Sequence, residues 1–155
     1  MIAFRAMTDG EYPAYLDYFI PDYASEIAAN YRLSPADALA RAKQEMAETL
    51  HERVRTHGHA LLCVMDNGEQ HIGYLWYKPD TLMRTAFIYD FHIFASYQGK
   101  GLGRQTLQAL EALLREQGFN EIRLRVAGDN PRARHLYETV GFGVTGINMS
   151  KVIGN

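Results

Sequence analysis

The stretch of sequence that decides the fold is Tyr-Gln-Gly-Lys-Gly-Leu-Gly-Arg, residues 97–104. Its three alternating glycines stand between a strand-like run, Phe87 to Ala95, and a run with apolar residues at helical spacing. Glycine lets the backbone bend and leaves no Cβ in the way, so several N–H groups at a helix start can converge on an anion. The stretch predicts a phosphate-binding turn, to which Lys100 and Arg104 add positive charge, although tight turns without a ligand use the same residues.

Two well-defined phosphate motifs do not match this turn. A dinucleotide fingerprint, Gly-x-Gly-x-x-Gly, would need a third glycine where Arg104 or Thr106 stands. A P-loop needs Ser or Thr directly after its Gly-Lys pair, and Lys100 is followed by Gly101. The sequence therefore speaks against both of these nucleotide-binding classes.

A third pattern does match, and it resembles the GNAT superfamily of acyl-CoA N-acyltransferases. The family signature Gln/Arg-x-x-Gly-x-Gly/Ala finds its fixed positions in Gln98, Gly101 and Gly103. A second family block, Asn-x-x-Ala-x-x-x-Tyr-x-x-x-Gly-Phe, finds its positions in Asn130, Ala133, Tyr137, Gly141 and Phe142. The resemblance covers roughly residues 87–151 closely and the first eighty residues in outline.

Composition limits the classes of protein that fit. With 155 residues, of which 47% are hydrophobic, the chain is expected to form a single domain over residues 1–155. A formal charge of −2 leaves little to neutralise a phosphate backbone, so no nucleic-acid partner is expected. Cys63 is the only cysteine, which excludes an intramolecular disulfide. No signal peptide or membrane-length apolar run is evident, so we expect a cytoplasmic protein without a membrane partner.

The pattern of elements along the chain is β-α-α-α-β-β-β-α-β-α-β. Pro21 is expected to divide the N-terminal helical region into two short helices, and Ser34 with the proline after it to begin a longer helix that ends at Gly58. An Asp-Asn-Gly sequence, residues 66–68, predicts a β-hairpin. Pro79 is expected in a turn, and residues 142–152 in a last strand.

That order permits several α+β folds, and the resemblance selects one of them. It implies a three-layer αβα arrangement of GNAT type, with a mixed, mostly antiparallel central sheet and helices on both faces. The strand before the glycine turn and the strand of residues 121–127 would form a parallel pair that splays apart. A β-bulge on the first of these strands would turn backbone groups toward the pantetheine arm of the coenzyme.

The resemblance also implies which residues bind acetyl-CoA, the expected co-substrate. Backbone groups of Ile93, Phe94 and Ala95 would bond to pantetheine and to the acyl carbonyl, and Asn130 would lie near the same arm while also capping its helix. Tyr137 would give a proton to the departing thiolate or hold it by a hydrogen bond. The diphosphate would be wrapped by the residues of the turn, namely Gln98, Gly99, Lys100, Gly101, Leu102, Gly103 and Arg104.

The sequence does not identify the general base. Asp90 and His92 are two residues apart on the central strand and so share a face, with Tyr89 and Phe91 expected on the other face. The pair can take a proton from the amine directly or through water, or the two buried side chains can simply serve as hydrogen-bond partners of each other. Many family members place a glutamate on one of the splayed strands; Arg125 stands in the corresponding region of the second strand here.

The expected acceptor is a small-molecule or peptide amine. Its specificity would come from the N-terminal helices and the turn near Pro79, where tyrosines and acidic side chains can hold a cation or simply pack and face solvent. The histidines show no metal-ligand spacing, so no metal is expected. A longer acyl-CoA donor, or a non-catalytic module that binds or senses acyl-CoA, are the alternatives, and family analogy leaves a homodimer open. The aromatic and acidic residues of this region are Tyr12, Tyr15, Asp17, Tyr18, Phe19, Asp22, Tyr23, Glu26 and Tyr31.

Overall fold

The structure is a computed structural model that describes residues 1–154, and over that range it contains five strands, four α-helices and two short 3-10 helices. The bounds of the strands and α-helices are β1 Ile2–Ala6, α1 Tyr12–Tyr31, α2 Pro35–Thr49, β2 Ala60–Asp66, β3 Gln70–Asp80, β4 Thr85–Ile93, α3 Leu102–Glu116, β5 Glu121–Leu124 and α4 Pro131–Thr139. The α1 and α2 helices follow the first strand, the next three strands form consecutive hairpins, and the glycine turn leads from β4 into α3.

The sheet has the order β1-β2-β3-β4-β5, and every neighbouring pair is antiparallel except β4 and β5, which are parallel. One core lies between the sheet and the α1–α2 layer, and includes Tyr15, Cys63 and Trp76. A second core lies on the opposite face, where α3 and α4 pack, and includes Leu75 and Leu110. The three-layer αβα fold with a mixed, mostly antiparallel sheet is confirmed.

The parallel pair separates halfway along β4. Its register runs from Thr85 opposite Glu121 to Ile88 opposite Leu124, where β5 ends while β4 continues to Ile93. Residues 89–93 of β4 therefore have a strand on one side only. The resulting gap between the ends of the two strands is the splay that the family resemblance implies.

A β-bulge in β4 lies where the gap begins. Trp76 of β3 is opposite Asp90 and Tyr77 is opposite Ile88, so Tyr89 is the extra residue. The expectation that Tyr89 lies on the face opposite to Asp90 was wrong, because the bulge breaks the alternation of side chains. Tyr89 stacks on Trp76 in the α1 layer, with ring centroids 4.7 Å apart, while Phe91 belongs to the core beneath α3.

Three predicted boundaries were wrong. Pro21 lies inside a continuous α1, where it costs the helix one backbone hydrogen bond on an exposed side while Ile20 and Ala24 on either side are buried. The α2 helix ends at Thr49 and not at Gly58. Pro79 lies within β3 opposite Ala86. The pairing of β3 with β2 extends only to Tyr77, so no β2 residue beside Pro79 needs an N–H from the proline.

The predicted last strand is not formed. Residues 142–154 have no regular secondary structure and are largely exposed. The sheet therefore ends at β5, and the apolar side chains of the C-terminal residues, among them Ile147 and Met149, face solvent.

At Gly73 the backbones of β3 and β4 lie so close that one added methyl group is expected to lower the stability of the sheet. A Cβ at this position would lie 2.0 Å from the carbonyl oxygen of His92 on the neighbouring strand, so β3 and β4 would have to move apart. We expect Gly73→Ala to lower the free energy of unfolding by about 2 kcal/mol, as overpacking in a core does. Urea unfolding measures it, with Gly128→Ala as control because a Cβ at that exposed position meets nothing within 4 Å. Equal stability of the two variants would contradict the tight β3–β4 approach.

Candidate active site

The glycine turn leaves the N-terminus of α3 open. Gly99 and Gly101 have φ angles of 78° and 80°, a left-handed conformation that favours glycine. Gly101 is the residue before the helix, and no side chain caps it, whereas Ser34 caps α2 and Asn130 caps α4. The first N–H groups of a helix have no partner within it. In α3 these groups lie at an exposed loop together with Lys100 and Arg104, which is the arrangement an anion needs.

Gln98 links the turn to the end of β4. Its side-chain Nε2 donates to the carbonyl of Ile93 at 2.7 Å, and its own N–H donates to Ala95. The Phe94 N–H donates to the carbonyl of Ile72 at 2.8 Å, so this amide points toward β3. Successive amides of a strand point to alternate sides. The Ile93 N–H therefore points into the gap. The Phe94 carbonyl accepts a hydrogen bond from the Tyr97 N–H. Since both backbone groups of Phe94 are already bonded, any backbone contact of Phe94 with a ligand would compete with these bonds.

Asp90 is held by two tyrosines of α1 on the other side of the gap. The hydroxyl of Tyr15 donates to Oδ2 at 2.8 Å and that of Tyr18 to Oδ1 at 3.0 Å. Burial raises the pKa of Asp90 to about 7, although the two tyrosine hydrogen bonds act in the opposite direction. A carboxyl group with this pKa exchanges its proton near neutral pH, as a general base must.

His92 does not pair with Asp90. Its ring stacks on Tyr18 with centroids 4.1 Å apart, and among the hydrogen bonds of residues 1–154 none joins it to the carboxylate. Burial lowers the pKa of His92, which favours the neutral imidazole. The structure thus excludes a self-satisfied Asp–His pair and places Tyr18 as the link between the two residues.

Tyr137 reaches the same region from α4. Burial raises its pKa to about 12, and the charge of Asp90 contributes to that shift. The ring of Phe142 packs edge-on against the ring of Tyr137, with the two centroids 5.7 Å apart. No hydrogen bond of the Tyr137 hydroxyl is formed in the part of the chain that the structure describes, and no buried side-chain oxygen there lacks a partner, so this hydroxyl is accessible. An accessible tyrosine hydroxyl thus lies near enough to Asp90 for the charge of that carboxylate to raise its pKa.

The remaining predicted residues have other surroundings. Asn130 is exposed and accepts from the Ala133 N–H at 3.2 Å, as an N-cap does, so its contact with a coenzyme stays a prediction. Arg125 is exposed just beyond the end of β5. Of the α1 aromatic residues only Tyr15 and Tyr18 bond to Asp90; Tyr12 and Phe19 pack in the core and Tyr23 bonds to Glu45 of α2.

The sequence does not indicate that Tyr15 and Tyr18 are partners of Asp90. It shows them only as members of an aromatic region. Their spacing of three residues on α1 puts their hydroxyls on one helix face, but β4 is more than seventy residues away in the chain. Only the packing of α1 on the sheet brings the groups together.

A second titratable cluster lies farther along the same face, and it is built around an ion pair. Ligand-type atoms of Glu11, Cys63 and His71 lie within 4.8 Å of one another. Arg5 donates two hydrogen bonds to the Glu11 carboxylate, both at 2.8 Å, which lowers the pKa of Glu11. Burial raises the pKa of Cys63 to about 11. Since a fixed cation already neutralises the carboxylate, we assign this cluster a structural role.

The fold and this site together define the class of protein. A family model described as the acetyltransferase (GNAT) family matches residues 22–142, most of the chain. The chain belongs to this family. Within residues 1–154, no helix has both the length and the apolarity to cross a bilayer.

Several known proteins are similar to this chain over most of its length. The chain is 35% identical over 152 residues to the N-acetyltransferase YycN of Bacillus subtilis (strain 168), covering 97% of each chain. The crystal structure of B. subtilis YycN matches with a TM-score of 0.92 over 100% of both chains. The PaiA N-acetyltransferase of Thermoplasma acidophilum, solved with coenzyme A, is 18% identical with a TM-score of 0.69, over 96% of this chain and 93% of that one. A spermidine N-acetyltransferase from Vibrio cholerae, solved with CoA and spermine, is 23% identical with a TM-score of 0.62, over 94% and 82%.

Proposed function

We propose that this protein transfers the acetyl group of acetyl-CoA to a primary amine by direct attack in a ternary complex. One observation carries the proposal: the uncapped N-terminus of α3 lies at the end of β4, and the same end of β4 holds Asp90 at a gap that Tyr137 reaches from the other face. An anion site and an acid–base pair thus share one opening. A transferase that uses a diphosphate-bearing thioester needs both.

The donor would be held by backbone groups on two sides of the turn. The N–H groups of residues 101–104, with Lys100 and Arg104, would bind the diphosphate, while Gly99 allows the chain to bend around it. The Ile93 N–H would bond to the pantetheine arm or to the acyl oxygen, because it points into the gap between β4 and β5. The acyl oxygen gains negative charge in the transition state, so an N–H placed there accelerates the reaction.

The reaction would need two proton transfers, one to Asp90 and one from Tyr137. The acceptor ammonium loses a proton to the Asp90 carboxylate, directly or through water, and its nitrogen lone pair attacks the thioester carbon. As the tetrahedral intermediate collapses, the carbon–sulfur bond breaks and the electron pair goes to sulfur. The Tyr137 hydroxyl then donates its proton to the thiolate or holds it by a hydrogen bond. His92 would hold Tyr18 in place by stacking, and Tyr18 in turn would hold Asp90.

An amine acceptor is supported by the charges around the gap. Asp22 lies one turn of α1 beyond Tyr18, and its charge contributes to the raised pKa values of Asp90 and Tyr18. A site with two carboxyl groups and several aromatic rings attracts a cation. The spermidine N-acetyltransferase solved with spermine is one fold relative whose acceptor is a polyamine. The absence of a metal and a cytoplasmic location stay predictions of the sequence.

A thiol-release assay tests the proposal. Acetyl-CoA is incubated with the protein and with polyamines, aminoglycosides, amino acids and peptides with free N-termini, and free coenzyme thiol is measured. Turnover with at least one amine is expected, and it should be slower in the Asp90→Asn variant by a factor of about 10² or more. Turnover only with a longer acyl-CoA would support the longer-chain donor, and binding of acetyl-CoA without turnover of any amine would support a sensing module; either result would contradict the proposal.

Arg104 tests the diphosphate site separately from the chemistry. Replacing it by glutamine removes one charge-assisted hydrogen bond, which is worth roughly 1.5 kcal/mol, or about tenfold in affinity. We expect Arg104→Gln to raise the Kd for acetyl-CoA by about that factor in titration calorimetry. Arg115→Gln at the other end of α3 is the control and should bind as the parent does, since Arg115 pairs with Glu111. Equal affinities of all three proteins would place the diphosphate elsewhere.

A further inference from the structure

Several aromatic rings form one surface on the α1 side of the sheet. Trp76 and Tyr89 stack with their ring centroids 4.7 Å apart, and Phe87 meets Tyr89 edge-on at 5.2 Å. The Trp76 indole N–H donates to His59 at 3.0 Å, which fixes the inner ring of the group. Trp76 is buried, whereas Phe87 is 38% exposed and Tyr89 is 43% exposed. We call the exposed faces of Phe87 and Tyr89 the ring surface, on which the ring of a ligand can pack.

The β-bulge places the ring surface beside the candidate base. Neighbouring residues of a strand normally face opposite sides of the sheet. At the bulge, however, Tyr89 stacks on Trp76 in the α1 layer. The next residue, Asp90, also faces α1, because it accepts hydrogen bonds from Tyr15 and Tyr18. Since consecutive Cα atoms lie about 3.8 Å apart, an amine bound at Asp90 would have its own substituent within reach of the Tyr89 ring.

Two arginines bring positive charge to the other side of the gap. Arg123 is the register partner of Phe87 on the parallel strand, so its side chain leaves the sheet on the same face. It is already paired with Glu121 at 2.9 Å. Arg125 lies one residue beyond the last register pair, at about the level of Tyr89, and none of the ion pairs within residues 1–154 includes it. An unpaired guanidinium favours a carboxylate ligand, to which it can form two parallel hydrogen bonds.

One cavity connects these groups with the catalytic side of the site. It has a volume of about 1240 Å³, and Phe87, Arg123, Arg125 and Tyr137 all line it. Tyr137 is the proposed proton donor. A ligand that covers the ring surface and reaches Arg125 would therefore occupy the opening in which the thioester reacts.

We infer that the acceptor is an aromatic α-amino acid, an inference that rests on the proposed acetyl transfer. Its ammonium lies at Asp90, and its carboxylate pairs with Arg125. Its ring packs on Tyr89 and Phe87. An α-amino acid carries these groups on and next to a single carbon, as three neighbouring sites require. A polyamine would instead bring a second ammonium toward Arg123 and Arg125, where like charges repel.

The transfer balances on this acceptor. The α-nitrogen loses two protons: one goes to Asp90 and then to solvent, and the other goes to Tyr137, which has given its own proton to the thiolate. The new bond joins the nitrogen to the acetyl carbon as the carbon–sulfur bond breaks. The products are the N-acetyl amino acid and the free coenzyme thiol. Because the product has no ammonium, it loses its attraction to Asp90 and is released.

The fluorescence of Trp76 reports binding without turnover, because this residue is the only tryptophan of the chain and stacks on Tyr89. The protein saturated with coenzyme A, which has no acetyl group to transfer, is titrated with L-phenylalanine, phenethylamine, L-alanine and spermidine. We expect a saturable change with L-phenylalanine. The Kd should be about tenfold higher for phenethylamine, which lacks the carboxylate, and about fivefold higher for L-alanine, which lacks the ring. No saturable change with L-phenylalanine, or equal or tighter binding of spermidine, would overturn the inference.

Thiol release from acetyl-CoA separates this inference from the proposed transfer. L-phenylalanine should have a higher kcat/KM than phenethylamine, L-alanine and spermidine. A higher kcat/KM for spermidine would overturn the aromatic acceptor and leave the transfer in place. Binding of L-phenylalanine without thiol release with any amine would overturn the transfer, while the amino-acid site would stand.

Substitutions test the residues themselves, with Kd measured by calorimetry because changes at Tyr89 alter the Trp76 signal. Arg125→Gln should raise the Kd for L-phenylalanine about tenfold and leave that for phenethylamine unchanged. Arg55→Gln is the control, since Arg55 pairs with Asp9 and does not line the cavity. Tyr89→Leu should raise the Kd for L-phenylalanine about fivefold, and Tyr89→Phe, which keeps the ring, should bind as the parent does. Equal affinities of the two Tyr89 variants, or equal effects of Arg125→Gln on both ligands, would overturn the inference.

Discussion

Asp90→Asn is expected to lower kcat by about 10² to 10⁴, the range that general acid–base catalysis contributes. The substitution keeps the shape of the side chain and one acceptor oxygen, but it removes the group that takes the ammonium proton. Affinity for acetyl-CoA should stay within about twofold of the parent value, because the Asp90 side chain faces α1, while the diphosphate turn lies beyond the C-terminal end of β4 and the short helix that follows it. Steady-state thiol release measures the rate, and calorimetry measures the affinity.

The pH profile separates a proton acceptor from a residue that only shapes the site. The pKa of Asp90 is raised to about 7, so the carboxylate fraction grows as the pH rises through that value. The parent rate should therefore rise between about pH 6 and pH 8, and the residual rate of Asp90→Asn should lose that rise. Asp37→Asn, on the exposed first turn of α2, is the matched control and should keep the parent profile.

A residual Asp90→Asn rate with an unchanged pH profile would contradict the role of Asp90. His92 would then be the remaining histidine or carboxyl group on that face of β4. If His92→Gln lowered the rate more than Asp90→Asn did, the base would be reassigned to the imidazole. We expect the opposite order, since the structure gives His92 a stacking contact with Tyr18.

Tyr137→Phe is expected to lower kcat by about 10²-fold, with the Kd for acetyl-CoA nearly unchanged. Only the hydroxyl is lost, while the ring continues to pack on Phe142. The thiolate would have to leave without the tyrosine proton, which raises the barrier of the second half of the reaction. Rapid-mixing measurements of thiol release with an amine found in the panel give the rate of this step.

The control for Tyr137→Phe is the same change at Tyr77. This tyrosine is buried in the core beneath α3 and lies opposite Ile88 on the sheet. Tyr77→Phe should keep the parent rate. A parent-like rate of Tyr137→Phe would remove the hydroxyl as the proton donor, while equal losses in both variants would point to a packing effect.

The local features of the fold could be predicted from the sequence because they depend on residues close together in the chain. The glycine turn into α3, the Ser34 cap, and the positive φ angles of Asn67 and Gly68 in the β2–β3 hairpin are all present. The splay of β4 from β5 and the bulge followed from the family resemblance. Of the candidate site, the sequence named Asp90, Tyr137 and the turn; in the structure the turn follows the strand that carries Asp90, and the charge of Asp90 acts on Tyr137, while their roles stay predictions.

Contacts between distant segments could not be predicted. The bulge at Tyr89 moves that ring to the α1 face, and no local pattern places a bulge at a given residue. The tyrosine bonds to Asp90 depend on how α1 lies across the sheet. The β-branched side chains of the C-terminal residues predict a strand, but a strand needs a paired neighbour, and these residues pair with no strand in the described chain. A helix that tolerates Pro21 depends likewise on its burial against the sheet.

A crystal structure of the protein with acetyl-CoA tests the central claim most directly. We predict that the diphosphate lies against the N–H groups at the start of α3, between Gly99 and Arg104, and that the thioester enters the gap with its sulfur at hydrogen-bonding distance from the Tyr137 hydroxyl. A diphosphate bound elsewhere, or a thioester turned away from Asp90 and Tyr137 while the gap stays closed, would contradict the account.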